Sequence, residues 1–474
     1  MYKLFNSDLK SNRNGGTLFM SIETEAKKRD NAAIEKKNEC LWNAMKRHDP
    51  QAKPVIGTSG EGSWFTDLEG NRFFDGVSGL WCLNLGHGQE EIVEAAASQM
   101  KALSYFPLTS SHLPAVELSS KISELLGSEH QTFFSNSGSE ANEAAFKIAR
   151  QYHNQTGNPG KYKIISRYRA YHGSTLGALS ATAQANRRSK YEPGATGFMH
   201  VYPPYSYRSI FDGDPEETDL KAAQMLDEMI NWEGEESVAA FIMEPFISGG
   251  GVLVPSPKYL QKVAEVCKKH NVLLILDEVV SGFGRSGKMF GFMHSAGVEP
   301  DIITMAKGLT SGYLPLGATS VRSEIYDAFK GKGEDNHFRH VSTYGGHPAS
   351  CAVALKNIEI IERENIVSRV AKLSESILSK LTGLESHQYI GEVRQAGFLL
   401  GFEMVEDKET KVPLSNEIIG EMLGKCKAKG LIIGKNGDTV PGQNNVIIVA
   451  PPLTSTEDDL HYVVETIMSV MKEF

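Results

Sequence analysis

Residues 303–318 read ITMAKGLTSGYLPLGA and place Lys307 just after an apolar segment, on a turn rich in glycine and serine. Thirty positions upstream, residues 273–280 (LLILDEVV) predict a buried strand that ends at Asp277. A strand that is apolar at every position is typical of a parallel sheet covered on both faces. These two segments therefore predict an α/β fold with a lysine and an aspartate at strand ends.

Strands and helices alternate along the same part of the chain. Further strands are predicted at 132–134, 163–166, 239–243, 272–276 and 302–305, and helices at 111–126, at 139–152 and from Ser256–Pro257 onward. Ligands of such sheets bind beyond the carboxyl ends of the strands. Residues 135–139, Glu244, Asp277 and Lys307 all follow predicted strands, so we expect them to converge on one cleft.

The pattern changes after Pro348. Helices are predicted at 349–363, 367–381 and 457–471, and strands at 398–405 and 446–449. This pattern predicts a large domain at 76–344, covered by helices, and a smaller α+β C-terminal domain at 345–474. The N-terminal segment 1–75 is predicted to complete the smaller domain.

Composition restricts the possible partners. The 474 residues carry a net charge of −9 and a pI of about 5.9, which argues against a nucleic-acid or anionic-membrane partner. Five scattered cysteines without a C-x-x-C motif predict free thiols in a reducing compartment and no metal site. The chain lacks an apolar run of about 18 residues and an apolar signal region. We expect a cytoplasmic protein, with residues 1–19 as a disordered extension.

Lys307 and Asp277 each allow two interpretations. A lysine in an apolar site loses the solvation that favours its charge, so its amine becomes a nucleophile suited to a Schiff base. The alternative for Lys307 is a solvated loop lysine. An aspartate after LLIL must be paired, either by a pyridinium nitrogen or by Arg285 or a backbone cap.

Two further motifs suit a flat, phosphorylated ligand. Residues 136–140 (NSGSE) precede a predicted helix, whose N-terminus favours a phosphate; the alternative is a plain serine cap. Tyr171 follows a strand beside His172 and Gly173, where it either stacks on a ring or packs in the core.

Other charged and glycine-rich positions also allow two interpretations each. Residues 282–287 (GFGRSG) match G-x-G-x-x-G, either as a dinucleotide site or as turn chemistry. Lys435, Arg394 and Arg169 are candidates for holding an acidic substrate group, or else ordinary solvated cations.

Seven motifs in order resemble the class III aminotransferases, which are pyridoxal-phosphate enzymes of fold type I. The motifs are NSGSEANE (136–143), YHGST (171–175), MEP (243–245), LDEVVSGFGRSG (276–287), PDIITMAKG (300–308), LPLGA (314–318) and STYGGHP (342–348). The resemblance extends from about Ala52 to the C-terminus. It implies a homodimer, or a dimer of dimers, with active sites at the subunit interface.

The resemblance also implies a role for each matching residue. Lys307 is similar to the Schiff-base lysine, and Asp277 to the partner of the pyridine nitrogen. The other positions that match are Gly138 and Ser139 (phosphate turn), Tyr171 (stacked on the ring), Val279 (behind the ring), Glu244 (supporting) and Thr343 (phosphate of the neighbouring subunit). The implied reaction moves an amino group from a donor amine to an oxo acid such as pyruvate.

The substrate pocket resembles that of the ω-amine or ω-amino-acid:pyruvate group. Leu80, Trp81, Tyr105 and Phe106 match its aromatic pocket. Many of these enzymes carry an arginine for the substrate carboxylate where this chain has Gly434 and Lys435, followed by the longer segment NGDTVPGQNN. That departure resembles the subset that includes taurine:pyruvate enzymes, with Lys435 as a point charge for a carboxylate or sulfonate.

Three alternatives to a transaminase stay open at this point. Relatives of class III include aminomutases and decarboxylases, which keep the fold and change the reaction. A nucleotide-linked dehydrogenase would use the motif at residues 282–287. The third alternative is a binding protein without catalysis.

Overall fold

A computed structural model of the chain describes residues 31–45, 55–331, 333, 335–437 and 439–474. The predicted extension at residues 1–19 lies outside the described residues. Within the described part, no helix is long and apolar enough to cross a membrane.

The chain divides into two compact units. Residues 1–59 and 66–71 form one unit, in whose described part Asn31 Nδ2 donates to the Leu68 carbonyl oxygen at 3.1 Å. Residues 60–65 and 72–474 form the other. The domain boundaries expected near residues 76 and 345 stay a prediction.

The elements follow one another in a mixed order. The strands are β1 (Gly57–Glu61), β2 (Trp64–Asp67), β3 (Arg72–Asp75), β4 (His130–Ser135), β5 (Lys163–Arg167), β6 (Phe198–Val201), β7 (Val238–Met243), β8 (Leu273–Asp277), β9 (Ile302–Met305), β10 (Gly317–Arg322), β11 (Ile390–Ala396), β12 (Leu399–Met404), β13 (Leu431–Ile432), β14 (Gly434–Lys435) and β15 (Val446–Val449). The helices are α1 (Asn31–Asn38), α2 (Ser78–Trp81), α3 (Glu90–Ala102), α4 (Leu113–Leu126), α5 (Gly138–Gln155), α6 (Leu176–Ala181), α7 (Ala185–Arg188), α8 (Pro215–Glu233), α9 (Pro257–Lys269), α10 (Ser323–Asp327), α11 (Pro348–Arg363), α12 (Ile366–Leu381), α13 (Asn416–Ala428) and α14 (Glu457–Met471).

A seven-stranded sheet in the order β4-β10-β9-β8-β7-β5-β6 forms the centre of the larger unit. All neighbouring pairs from β9 to β6 are parallel, whereas β10 is antiparallel to both β4 and β9. The prediction of a mostly parallel sheet is therefore confirmed. The sequence interpretation did not include the antiparallel strand β10.

The apolar strands are buried because both faces of the sheet are covered. Along β8, Leu274 and Leu276 pack in one hydrophobic cluster, while Leu273 and Ile275 pack in another on the opposite face. Alternate side chains of a strand point to opposite faces, so a strand covered on both sides needs apolar residues throughout. Helix α9 shows the complementary pattern, a buried stripe that includes Val263, and it begins after Ser256 as predicted.

A second, antiparallel sheet in the order β11-β12-β15-β14 follows in the C-terminal part. The strands predicted at 398–405 and 446–449 correspond to β12 and β15, and the last predicted helix coincides with α14. In the same unit, β13 pairs in parallel with β3, so that Leu431 lies opposite Phe74.

A buried carboxylate on β12 ties this sheet to the segment after β6. Glu403 accepts hydrogen bonds from Arg394 Nη2 at 2.7 Å, Arg208 Nε at 2.8 Å and Asn445 Nδ2 at 3.0 Å. Burial alone would raise the pKa of Glu403, but the charge of Arg394, a hydrogen bond from Tyr205 and the charge of Arg208 lower it to about 2. Arg394 is therefore part of an internal ion pair.

The loop at residues 282–287 is a structural turn. It follows β8 but does not open a helix, as a dinucleotide-binding loop would. Its Arg285 is fully buried and donates to Asn84 Oδ1 at 3.0 Å, Ser78 Oγ at 3.2 Å and the Phe398 carbonyl oxygen at 3.3 Å, and also to the Pro451 carbonyl oxygen. Arg285 thus joins three distant segments of the chain.

Replacement of Glu403 by Gln should remove about 3–5 kcal/mol from the free energy of unfolding near neutral pH, because the buried Arg394 and the partly buried Arg208 lose their carboxylate. Glu403 titrates lower in the folded than in the unfolded protein, so its contribution exists above about pH 4.5 and disappears as the pH falls toward about 2. The free energies of unfolding of wild type and Glu403→Gln, measured with urea, should therefore become more similar as the pH falls over that range. Glu265→Gln, at an exposed position, is the matched control.

Replacement of Arg285 by Gln should lower the free energy of unfolding by about 3 kcal/mol or more, because several buried acceptors lose their donor. Chemical unfolding with Lys190→Gln, an exposed position, as control would measure this. A loss below about 1 kcal/mol, the range of ordinary surface changes, would contradict the structural role of Arg285.

Candidate active site

The carboxyl ends of β7, β8 and β9 lie at one edge of the central sheet, since the three strands are parallel neighbours. Glu244 directly follows β7, Asp277 is the last residue of β8, and Lys307 begins the turn after β9. The charges of Asp277 and Glu244 both act on Lys307. The topology thus brings these three predicted residues together.

Lys307 is partly buried and has a left-handed backbone conformation, with φ of 47°. Its Nζ lies 5.2 Å from the centroid of the Trp81 ring. Burial lowers the pKa of Lys307; the charge of Asp277 opposes that shift and the charge of Arg187 adds to it. A larger fraction of the amine is therefore neutral and nucleophilic than in a solvated lysine.

Asp277 is buried and held in one orientation. Its Oδ2 accepts a hydrogen bond from Asn142 Nδ2 at 2.8 Å and lies 2.8 Å from His172 Nδ1. Its Oδ1 accepts from the Val279 backbone N–H at 3.1 Å. Arg285 donates elsewhere, so Asp277 is held by an amide, an imidazole and a backbone cap.

The N-terminus of α5 packs beside these residues. Ser137 caps the helix by accepting from the Glu140 backbone N–H at 3.2 Å, so the predicted serine cap is present. A Cβ added to Gly138 would lie only 2.9 Å from Val279 Cγ2 and 3.6 Å from Ala306 Cβ. Glycine therefore allows the helix end to approach the residue that precedes Lys307.

Glu244 and Tyr171 form one hydrogen-bonded group. Glu244 is buried, which raises its pKa, and its Oε1 accepts from the Tyr171 backbone N–H at 3.2 Å. The Tyr171 hydroxyl lies 2.8 Å from Ser174 Oγ, and Ser139 Oγ accepts from the Ser174 backbone N–H at 3.1 Å. The predicted residues Glu244, Tyr171 and Ser139 are therefore linked.

The two residues of the predicted aromatic pocket on α2 differ in position. Trp81 faces Lys307, whereas the Leu80 side chain is 80% exposed. Because both lie in a segment with non-helical backbone angles at Gly79 and Leu80, adjacent side chains turn in different directions.

The remaining predicted residues are Phe106, Thr343 and Lys435. Phe106 and Thr343 are exposed in the single chain, and the Tyr105 hydroxyl donates to the Thr343 carbonyl oxygen at 2.9 Å. Lys435 Nζ donates to Asn416 Oδ1 at 2.7 Å, at the start of α13. Their proposed contacts with cofactor and substrate stay predictions.

Three residues at the site were missed by the sequence interpretation. Asn142 and His172 contact Asp277, and both lie inside motifs already noted, one turn into α5 and next to Tyr171. Arg187, whose Cζ lies 4.9 Å from the centroid of the Tyr171 ring, had no signal in the sequence.

This arrangement fits pyridoxal phosphate. Gly138 lets the N-terminus of α5 approach Val279 and Ala306 closely, and the backbone N–H groups of a helix N-terminus favour a phosphate. The fixed Asp277 carboxylate suits a protonated ring nitrogen, and Lys307 offers an amine of lowered pKa for the aldehyde.

Comparisons with known proteins agree with this geometry. A family model for class-III aminotransferases matches residues 45–471. The chain is 52% identical to the uncharacterized aminotransferase YhxA of Bacillus subtilis (strain 168) over 438 residues, which cover 92% of this chain and 96% of that protein. It is 40% identical to the taurine–pyruvate aminotransferase of Bilophila wadsworthia (strain 3_1_6) over 436 residues, with coverage of 91% and 94%.

A solved structure shows the same fold with the cofactor. It is an amine transaminase from an uncultivated Pseudomonas species in its PLP-bound form, with a TM-score of 0.86, 33% identity and coverage of 91% of this chain and 98% of that one. The expected family, fold type and cofactor are thereby confirmed. The chain belongs to the class-III aminotransferases and is a pyridoxal-phosphate-dependent enzyme of fold type I.

Proposed function

We propose that the enzyme moves an amino group from an ω-amino acid or amine, such as β-alanine or taurine, to pyruvate. The products are alanine and an aldehyde or ketone. The observation that carries this proposal is the Lys307 amine, which lies 5.2 Å from the centroid of the Trp81 ring and whose pKa is lowered by burial although the charge of Asp277 opposes that shift. The similarity to a taurine–pyruvate aminotransferase and to an amine transaminase supports the choice of donor and acceptor.

In this proposal the predicted residues hold pyridoxal phosphate. Gly138 and Ser139 at the N-terminus of α5 bind the phosphate, and Tyr171 stacks on the ring, with Val279 behind it. When bound, the cofactor supplies an electron sink for the carbon that loses a proton. Asp277 keeps the ring nitrogen protonated, and Glu244 supports Tyr171 through its backbone N–H.

Lys307 carries the proton in the reaction. With the cofactor bound, its Nζ would accept the proton from the donor carbon and would later give up that proton to complete the transfer. Because burial lowers the pKa of Lys307, removing the proton from its ammonium group costs less free energy than in a solvated lysine. Trp81 excludes water from one side of Nζ.

We also propose that the active enzyme is a homodimer or a dimer of dimers. Thr343 is exposed in the single chain and stands beside exposed apolar side chains, Val341 and Tyr344, which are 73% and 64% accessible. A second copy would cover this surface, and Thr343 would then reach the phosphate in the neighbouring subunit.

The proposed compartment is the cytoplasm. The five cysteines are free thiols, and three of them, Cys267, Cys351 and Cys426, are buried. Free thiols are typical of proteins in reducing compartments.

The donor class can be tested by following the cofactor spectrum. We expect taurine or β-alanine, without any acceptor, to convert the cofactor to its amine form, and pyruvate to reverse the change. If the enzyme instead turned over repeatedly without an oxo acid, this would indicate an aminomutase or a decarboxylase. Ethylamine, which lacks the acid group, separates an ω-amino-acid enzyme from a general amine transaminase.

Replacement of Lys307 by Ala should reduce turnover by on the order of 10²–10⁴, because the proton then lacks its carrier. Lys258→Ala, at an exposed position, should retain wild-type turnover. Steady-state rates with pyruvate as acceptor would measure both. Equal rates for wild type and Lys307→Ala would overturn the proposed role of Lys307.

A further inference from the structure

The proposed function requires a cation for the substrate's acid group, and two of the expected cations, Arg394 and Arg169, are buried in internal contacts. Arg394 pairs with Glu403, and Arg169 is buried and donates to the Gly250 carbonyl oxygen at 2.9 Å. Lys435 donates to Asn416. A different cation, Arg187, contacts the Tyr171 ring, and its charge acts on Lys307.

Arg187 lies on the short helix α7 and is held in place. Its Nε donates to Gln184 Oε1 at 2.7 Å, and its Cζ lies 4.9 Å from the centroid of the Tyr171 ring. Burial lowers the pKa of Lys307 most, and the positive charge of Arg187 lowers it further, so the two cations share one electrostatic environment. The guanidinium therefore lies against Tyr171, one of the predicted cofactor residues.

Gly249 lies close to both Trp81 and Gln184, the residue before α7. A Cβ on Gly249 would lie 3.3 Å from Trp81 Cη2 and 3.8 Å from Gln184 Nε2. Trp81 in turn faces Lys307 Nζ at 5.2 Å. Trp81, Gly249 and Gln184 thus form a continuous wall that leads from the Lys307 amine to the residue holding Arg187.

Residues 439–445, called the 439–445 loop below, contact this wall through Thr439 and Gln443. The Ala185 backbone N–H, at the start of α7, donates to the Thr439 carbonyl oxygen at 2.9 Å. Gln443 accepts from Arg169, and the Arg169 carbonyl oxygen accepts from Gln184 Nε2 at 2.9 Å. The loop and Arg169 therefore hold Gln184 and α7 from both sides, which lowers the entropy cost of using Arg187 for binding.

We propose that Arg187 binds the carboxylate or sulfonate group of the substrate, and that the 439–445 loop positions it. This inference rests on the proposed function. A guanidinium matches both anions through paired N–H donors, and a partly buried site strengthens such charge-assisted hydrogen bonds. The anion belongs either to the donor amino acid or to the oxo-acid acceptor.

The test compares holoenzymes of wild type, Arg187→Gln and Arg187→Lys. Arg188→Gln is the matched control, since Arg188 contacts His200 and Glu192 instead of the site. The donor half-reaction is followed with β-alanine and with ethylamine, which differ only in the carboxylate. The acceptor half-reaction is followed with pyruvate. Thermal unfolding midpoints show whether each variant is folded.

We expect Arg187→Gln to raise the half-saturating concentration of β-alanine about tenfold or more, with ethylamine changed less than about twofold. Arg187→Lys should show a smaller rise, because a point charge remains. If the half-saturating concentration of β-alanine rises in Arg187→Gln, Arg187 binds the anion of the donor. If that of pyruvate rises, Arg187 binds the anion of the acceptor. Either rise supports the proposal.

A second readout does not depend on turnover. Ethanesulfonate and propionate, which carry the acid group but no amine, are titrated into each holoenzyme by calorimetry. We expect binding to wild type and to Arg188→Gln, and a loss of about tenfold or more in affinity for Arg187→Gln.

Three results would overturn the proposal. In the first, the half-saturating concentrations of both β-alanine and pyruvate are the same in Arg187→Gln as in wild type. Another is an equal loss with ethylamine, which would indicate a structural role. The third is unchanged affinity for the two unreactive acids. If wild type converts no donor, the proposed function fails, and the calorimetric titration still tests Arg187 separately.

Discussion

The site depends on a carboxylate that an apolar strand carries into the protein interior. Asp277 ends β8, and without partners its charge would be too costly to bury. Asn142 from α5 and His172 from the segment after β5 both contact the same oxygen, Oδ2. Asn142 is itself fixed, since its Oδ1 accepts from Thr304 Oγ1 at 2.7 Å on the neighbouring strand. The sheet and two connecting segments therefore determine where this charge lies.

Buried charges have different roles in different parts of the molecule. Glu403 with Arg394, and Arg285 with its four acceptors, connect segments that are far apart in sequence. Lys307 is less completely enclosed, and its charge is balanced by Asp277 while burial and Arg187 oppose it. Stability thus rests on ionic groups with several buried partners, and reactivity on one buried amine whose charge is only partly compensated.

Much of the fold follows from local patterns in the sequence. The apolar strands β7, β8 and β9 and the amphipathic helices α9 and α14 were predicted because burial on both faces, or on one stripe, leaves a direct trace in residue order. The antiparallel β10 was missed, since strand direction depends on pairing between distant segments. The same limit applies to the site: Lys307 and Asp277 follow strands, whereas Arg187 meets Tyr171 only through tertiary packing.

The link between the 439–445 loop and α7 joins two backbones, the Ala185 N–H and the Thr439 carbonyl oxygen. Such a bond does not depend on the residue type at either position, whereas the length of the loop and Gln443, whose side chain accepts from Arg169, are constrained. A substitution at the exposed Ala185 should therefore be tolerated more readily than an insertion or deletion in the loop. Loop length, together with Gln443, would then indicate which relatives share the proposed anion site.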